Sequence, residues 1–138
     1  MADESNQLRV RLVTPERTLF DHAAGAVELP AKNGYMEVLY GHAPLLAELG
    51  AGDVTVHGAE GEVRYNVNWG FVEVLPDRVT ILAADALKPE EIDVPRAEQQ
   101  LEHGQEAWKQ AGDRAEAYDE ALRVINEAEA KLASAASK

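Results

Sequence analysis

Cysteine is absent from the 138 residues of the sequence. That removes disulfides, thiolate metal sites and cysteine nucleophiles, and it suits a reducing compartment. Basic residues are scarce: 13 Lys and Arg stand against 25 Asp and Glu, a formal net charge of -12. Such a chain repels phosphate backbones and anionic lipid, so nucleic acid and direct membrane adsorption are poor candidates as partners. Long apolar runs are missing too. Stretches such as Ala43–Ala47 fall far short of the roughly 20 residues that cross a bilayer. The acidic, polar stretch Met1–Gln7 is unlike a signal peptide. Serine occurs only at Ser5, Ser134 and Ser137, close to the termini and away from His42.

What is present reads as one ordinary domain with an appendage. Before Pro89 the apolar residues recur with a period of two. Leu8, Val10 and Leu12 alternate with Arg9 and Arg11, Val54 and Val56 flank Thr55, and Val63, Tyr65 and Val67 alternate with Arg64 and Asn66. That period sets apolar side chains on one face of a sheet. Turn signals at Lys32–Gly34, Gly50–Gly52, Gly58–Gly61 and Pro76–Asp77 separate the runs. Strands are predicted near 8–14, 18–22, 25–30, 35–39, 45–49, 53–57, 62–67, 70–75 and 78–83. Short strands so spaced predict an antiparallel β-sandwich or flattened barrel over residues 1–88.

After Pro89 the period lengthens, predicting an antiparallel two-helix hairpin over residues 89–138, and so a β + α chain. Asp93 can cap the first helix, with Pro95 tolerated in its first turn. Ala97, Leu101, Gly104, Trp108 and Ala111 form a narrow stripe, and Gly112 ends the helix. Asp113 is then expected to cap a second helix, with Tyr118, Leu122, Ile125 and Leu132 on its stripe. Much of the inner face reads as alanine (Ala97, Ala107, Ala111, Ala115, Ala121 and Ala128), and Ala133–Lys138 reads as a frayed end. A hairpin this poor in large apolar groups needs a surface to lean on, as a movable arm would.

No catalytic constellation emerges. His42 lacks a nucleophile within a plausible distance along the chain, so it reads as a satisfied loop histidine rather than a general base. His22, His57 and His103 have no metal-ligand spacing, and no metal is expected. Gly50-Ala51-Gly52 reads as a turn, because neither phosphate-binding motif surrounds it. Trp69 and Phe71 are expected to pack the sandwich core, and the acidic helix faces to meet solvent.

Three stretches carry a family resemblance: Val38-Leu39-Tyr40-Gly41-His42-Ala43-Pro44-Leu45-Leu46, then Trp69–Val74 with Val79–Ala83, then Ile92-Asp93-Val94-Pro95-Arg96-Ala97. In this order the chain resembles the epsilon subunit of bacterial F-type ATP synthases. The resemblance implies a non-catalytic central-stalk subunit that couples proton flow to ATP synthesis and regulates hydrolysis through a movable hairpin. It implies contacts with the gamma subunit and the membrane rotor ring, and transient ones with the catalytic alpha/beta subunits. It implies a peripheral position on the cytoplasmic side of the cell inner membrane, reached only through the complex. No cofactor is required; ATP is implied as a weakly bound regulator touching Asp93, Arg96 and Arg123. The alternative reading of the residues is a free-standing β-sandwich ligand-binding module with a helical dimerisation arm.

Overall fold

A computed structural model describes residues 6–137 and divides the chain into two compact units, Met1–Leu87 and Lys88–Lys138. The first holds eight strands: β1 (Leu8–Val13), β2 (Thr18–Ala24), β3 (Ala26–Ala31), β4 (Gly34–Leu39), β5 (Leu45–Leu49), β6 (Gly52–Gly58), β7 (Gly61–Leu75) and β8 (Arg78–Leu87). They hydrogen-bond in the order β2-β1-β8-β7-β5-β3-β4, and β6 closes the structure by pairing with both β3 and β7. The result is a flattened barrel filled by the inward-facing half of each strand. Leu8, Val10, Leu12, Val27, Leu29, Val54, Val56, Val72, Val74, Val79 and Ile81 are completely buried there. The alternation seen in the sequence is therefore the alternation of core and solvent. One pairing departs from the antiparallel expectation, because β1 runs parallel to β8, with Val10 opposite Val79 and Leu12 opposite Ile81.

Two predicted strands, 62–67 and 70–75, are a single strand. β7 runs unbroken past Trp69 and Gly70, its first half paired with β6 and its second with β5. The apolar phase changes across the join: Tyr65 and Val67 face inward before it, Val72 and Val74 after it. A corner causes the change. Trp69 and Gly70 have positive φ angles of 48° and 138°, and the Trp69 N–H donates to the Gly50 carbonyl at the matching bend between β5 and β6. A turn to the other sheet layer looks, in sequence, like the end of one strand and the start of another. The same corner corrects the placement of Phe71, expected in the core but half exposed on the outer face. β8 also runs past the predicted end at 83, because Ala86 and Leu87 pair with Val67 and Asn66.

The second unit begins with a 3-10 turn, Pro89–Glu91, followed by α1 (Val94–Ala111) and α2 (Ala115–Ala136). Asp93 caps α1, its carboxylate accepting from the Arg96 N–H at 3.1 Å. Asp113 does not cap α2, which starts from Arg114 without a side-chain cap. Arg114 instead turns back to close α1, donating to the carbonyls of Gln110 and Ala111, where a cation is favoured by the helix dipole.

The seam between the helices is narrower than the stripes read from the sequence. Ala97, Gly104 and Ala111 are buried at seven-residue steps on α1, and Ala121, Ala128 and Ala135 at the same steps on α2. Trp108 and Tyr118 are partly exposed and meet each other across the hairpin turn, ring centroids 5.9 Å apart. Ala107 and Ala115, expected inside, are exposed. The predicted frayed end is mostly helical: α2 continues to Ala136 with Ser134 and Ala135 buried, while Lys138 lies outside the described residues, as do the N-terminal Met1 to Ser5.

Candidate functional site

The outer face of β8, β7 and β5 carries large apolar side chains where an isolated sandwich would place polar ones. Leu82 on β8 stands directly opposite Phe71 on β7. Leu46 on β5 faces outward two residues from Glu48, which pairs with Phe71. Leu46, Phe71 and Leu82 are 71, 52 and 51% exposed. They alternate with the buried residues Val72 and Ile81, so the same strand period that fills the core also raises this patch. Exposed large apolar groups gathered on one face, interspersed here with Glu48 and Glu73 as the direct cross-strand partners of Phe71 and Leu46, mark an interaction surface more often than a solvated one.

Further apolar groups gather at the end of β4. Leu39, Tyr40 and Leu45 are exposed around a turn fixed by two bonds, His42 N–H to the Leu39 carbonyl and Gly41 N–H to the Pro76 carbonyl at 2.7 Å. His42 sits in this turn with Nδ1 2.7 Å from the carbonyl of Ala43. Its ring is held by backbone, as a satisfied loop histidine is. At the opposite side of the fold the turn before Tyr35 is braced by the phenol, whose oxygen accepts from the Asp53 N–H at 2.9 Å.

Charge is placed more sparingly. Arg9 Nε donates to Asp21 at 2.7 Å, and Arg11 stands 3.6 Å from the same carboxylate. The hydrogen bond from Arg9, helped by both guanidinium charges, holds the Asp21 carboxyl below the ordinary carboxylate range. This is a surface network, worth little to stability.

The three residues expected to touch ATP are distributed along the hairpin. Asp93 and Arg96 share the first turn of α1, where the Asp93 carboxylate is already engaged as the cap. Arg123 lies on α2 beside Val124 and Ile125, which face Gly104. Gly104 is eight residues after Arg96, about 12 Å of helical rise. Asp93 and Arg96 are thus together, and Arg123 stands roughly two turns away along the hairpin. Gln100 and Glu127 hydrogen-bond across the helices between these levels, at 3.0 Å. No helix among the described residues is long and apolar enough to cross a membrane.

The outer apolar patch is the feature that reading along the chain missed. Its signal was present: Leu46, Phe71 and Leu82 fall out of phase with the core residues of their own strands.

Comparison with known proteins gives consistent relatives. Residues 7–89 match the family described as "ATP synthase, Delta/Epsilon chain, beta-sandwich domain". The ATP synthase epsilon chain of Solibacter usitatus (strain Ellin6076) is 42% identical over 133 residues, 95% of this chain and 97% of that one. The ATP synthase epsilon chain of Koribacter versatilis (strain Ellin345) is 43% identical over 102 residues, 73% of this chain and 71% of that one. The fold is also similar to a chain in a cryo-EM structure of the Euglena gracilis mitochondrial ATP synthase. There the TM-score is 0.80 at 24% identity, covering 99% of this chain and 85% of that one.

Proposed function

The chain belongs to the ATP synthase epsilon-chain family, and from that premise we propose that it is a non-catalytic central-stalk subunit of a rotary ATP synthase, docked through the apolar outer face of its sandwich. The patch of Leu46, Phe71 and Leu82 carries this reading. A chain with net charge -12 stays soluble by itself, yet it keeps large apolar groups in water at one place, and burying them against a partner returns the free energy that exposure costs. The gamma subunit is the partner assigned to this face, with the rotor ring meeting the turns at the sandwich end. The catalytic alpha/beta subunits are the transient partners of the hairpin in this reading. In this position the subunit couples proton flow to ATP synthesis and regulates hydrolysis, attached to the cytoplasmic side of the inner membrane through the complex alone. Family membership displaces the alternative of a free-standing ligand module.

Assembly tests the reading. Affinity-tagged full-length chain is expected to co-purify with the ATPase subunits. Phe71→Asp with Leu82→Asp should weaken that association at least about tenfold, since a carboxylate buried without a partner costs several kcal/mol and about 1.4 kcal/mol is already a factor of ten. Both positions are on the outer face, so the thermal transition of the free chain should fall only by the cost of the like-charge pair that the two aspartates make across β7 and β8, about 1 kcal/mol. Association equal to that of the parent chain would show that the face is not the docking surface.

ATP is proposed as at most a weak ligand. The spacing of Arg96 and Arg123 lets a nucleotide meet them with different parts rather than grip one phosphate between them. Twelve acidic residues from Glu90 onward, against six basic ones, oppose a polyanion. Calorimetric titration, with and without Mg²⁺, should therefore find no binding in the micromolar range. Micromolar affinity lost in Arg96→Ala would contradict this.

A further inference from the structure

Four strands bring together an imidazole and three carboxylates that lie far apart along the chain. Glu28 on β3 is directly opposite Glu37 on β4. On its other side Glu28 is opposite Thr55 of β6, two residues before His57, and His57 is opposite Glu62 of β7. The His57 Nε2 atom is 3.5 Å from Glu28 Oε1, and Nδ1 is 3.4 Å from Glu62 Oε1. One donor atom from each of Glu28, Glu37 and His57 lies within 4.8 Å of the other two.

The fold alone leaves this patch unfavourable. Like charges directly opposite across two strands destabilise the pair. Among the described residues, no Lys or Arg forms an ion pair with Glu28, Glu37 or Glu62. His57 Nε2 is shielded from solvent and has no hydrogen-bond partner, a condition that a native protein rarely leaves without compensation.

We propose that Glu28, Glu37 and His57 form a site for a divalent cation of the Zn²⁺ class, with Glu62 as the outer partner of the imidazole. Two donors on a tetrahedral Zn²⁺, with bonds of about 2.0–2.1 Å, stand about 3.3–3.4 Å apart. The Nε2-to-Oε1 separation of 3.5 Å already approaches that edge. The exposed carboxylate of Glu37 supplies the third donor by a rotamer change, and water takes the fourth position. One nitrogen with two carboxylate oxygens suits Zn²⁺ better than Ca²⁺ or Mg²⁺, which favour all-oxygen shells. The ring geometry gives independent support. A metal-bound histidine characteristically turns its other nitrogen to a carboxylate, and Glu62 occupies that place beside Nδ1. A bound cation would remove the Glu28–Glu37 repulsion, engage the orphaned Nε2, and tie β3, β4 and β6 together.

Titrating Zn²⁺ into the metal-free full-length chain by calorimetry, at about pH 7.5, is expected to show one site in the micromolar range. His57→Ala should weaken it at least about a hundredfold, and Glu62→Gln, which keeps all three ligands, about tenfold. Zn²⁺ should raise the thermal transition of the parent chain and leave that of His57→Ala unmoved. Glu28→Gln relieves the like-charge pair, so its metal-free transition should equal or exceed the parent's. A loss of Zn²⁺ binding there reports a lost ligand rather than an unfolded sandwich. Binding no tighter than millimolar in the parent, or equal binding in the parent and His57→Ala, would overturn the proposal.

Discussion

Replacing Gly70 with alanine is expected to destabilise the β-sandwich severely. Two independent costs meet at this position. Its φ of 138° lies where side-chain-bearing residues are strained. A Cβ built there would also collide with the Leu82 carbonyl oxygen and crowd the Ala83 Cα. Both obstacles are backbone atoms of β8, and neither can move without breaking the ladder that joins β7 to β8. Gly34 provides the internal comparison. Its φ is 137°, yet nothing lies within 4 Å of a Cβ placed there, so Gly34→Ala carries conformational strain alone, on the order of 1–3 kcal/mol. Gly70→Ala adds the collision and should cost about 4 kcal/mol or more, within reach of the total stability of a domain this size. At roughly 4–8 °C per kcal/mol, the thermal transition of the Gly70→Ala chain should fall by about 16–32 °C or disappear. Equal transitions for the two variants would show that the corner of β7 relaxes freely.

Replacing Gly104 with leucine opens the helical hairpin. A Cβ at this position would come within 2.9 Å of Ile125 Cγ1, 3.2 Å of Val124 Cγ1 and 3.3 Å of the Ile125 backbone nitrogen. Helix α2 therefore rests on the bare backbone of α1, and a whole isobutyl group cannot be inserted without separating the helices. Overpacking of this kind costs about 1–3 kcal/mol in a well-filled core. Here the seam is built from alanines, which contribute little burial each, so separation leaves few contacts to resist it. Amide hydrogen exchange should show protection lost across residues 94–136, while the β-strand amides retain theirs. Gly104→Ala is a milder case in which the better helix propensity of alanine, worth about 1 kcal/mol, opposes a contact that the Ile125 side chain can partly yield to. Unchanged protection in Gly104→Leu would show that the close approach at this level is dispensable.

The sandwich core was legible because the strand period is a local property. Leu8, Val10 and Leu12 alternate with arginines, and the structure buries the first set completely. Where conformation changes the phase, the reading failed: Trp69 and Gly70 turn one strand through a corner, and this splits it in sequence and sends Phe71 outward. The hairpin was legible from its cap at Asp93 and its stop at Gly112. Its seam was misjudged, because counting large apolar groups favours Trp108 and Tyr118, while close packing favours the small residues at seven-residue steps. The family resemblance rested on the turn stretch Val38–Leu46, on stretches inside β7 and β8, and on the start of α1. The cluster of Glu28, Glu37, His57 and Glu62 was invisible for another reason. Its members are neighbours only through the register of four strands, and no spacing along one element announces them.

The parallel pairing of β1 with β8 imposes an order on biosynthesis. β1 emerges first and can form its ladder with β2 at once, but its other edge waits for Arg78–Leu82, some 65 residues later. At about 5–20 residues per second, that leaves an edge strand unpaired for several seconds on a chain still being made. The charges of Arg9 and Arg11, directed outward along β1, discourage another nascent chain from filling the gap during that interval. The sandwich closes only when its last strand arrives beside its first. A chain stopped before Arg78 would keep the open edge permanently, and ribosome-stalled fragments of that length should be the aggregation-prone ones.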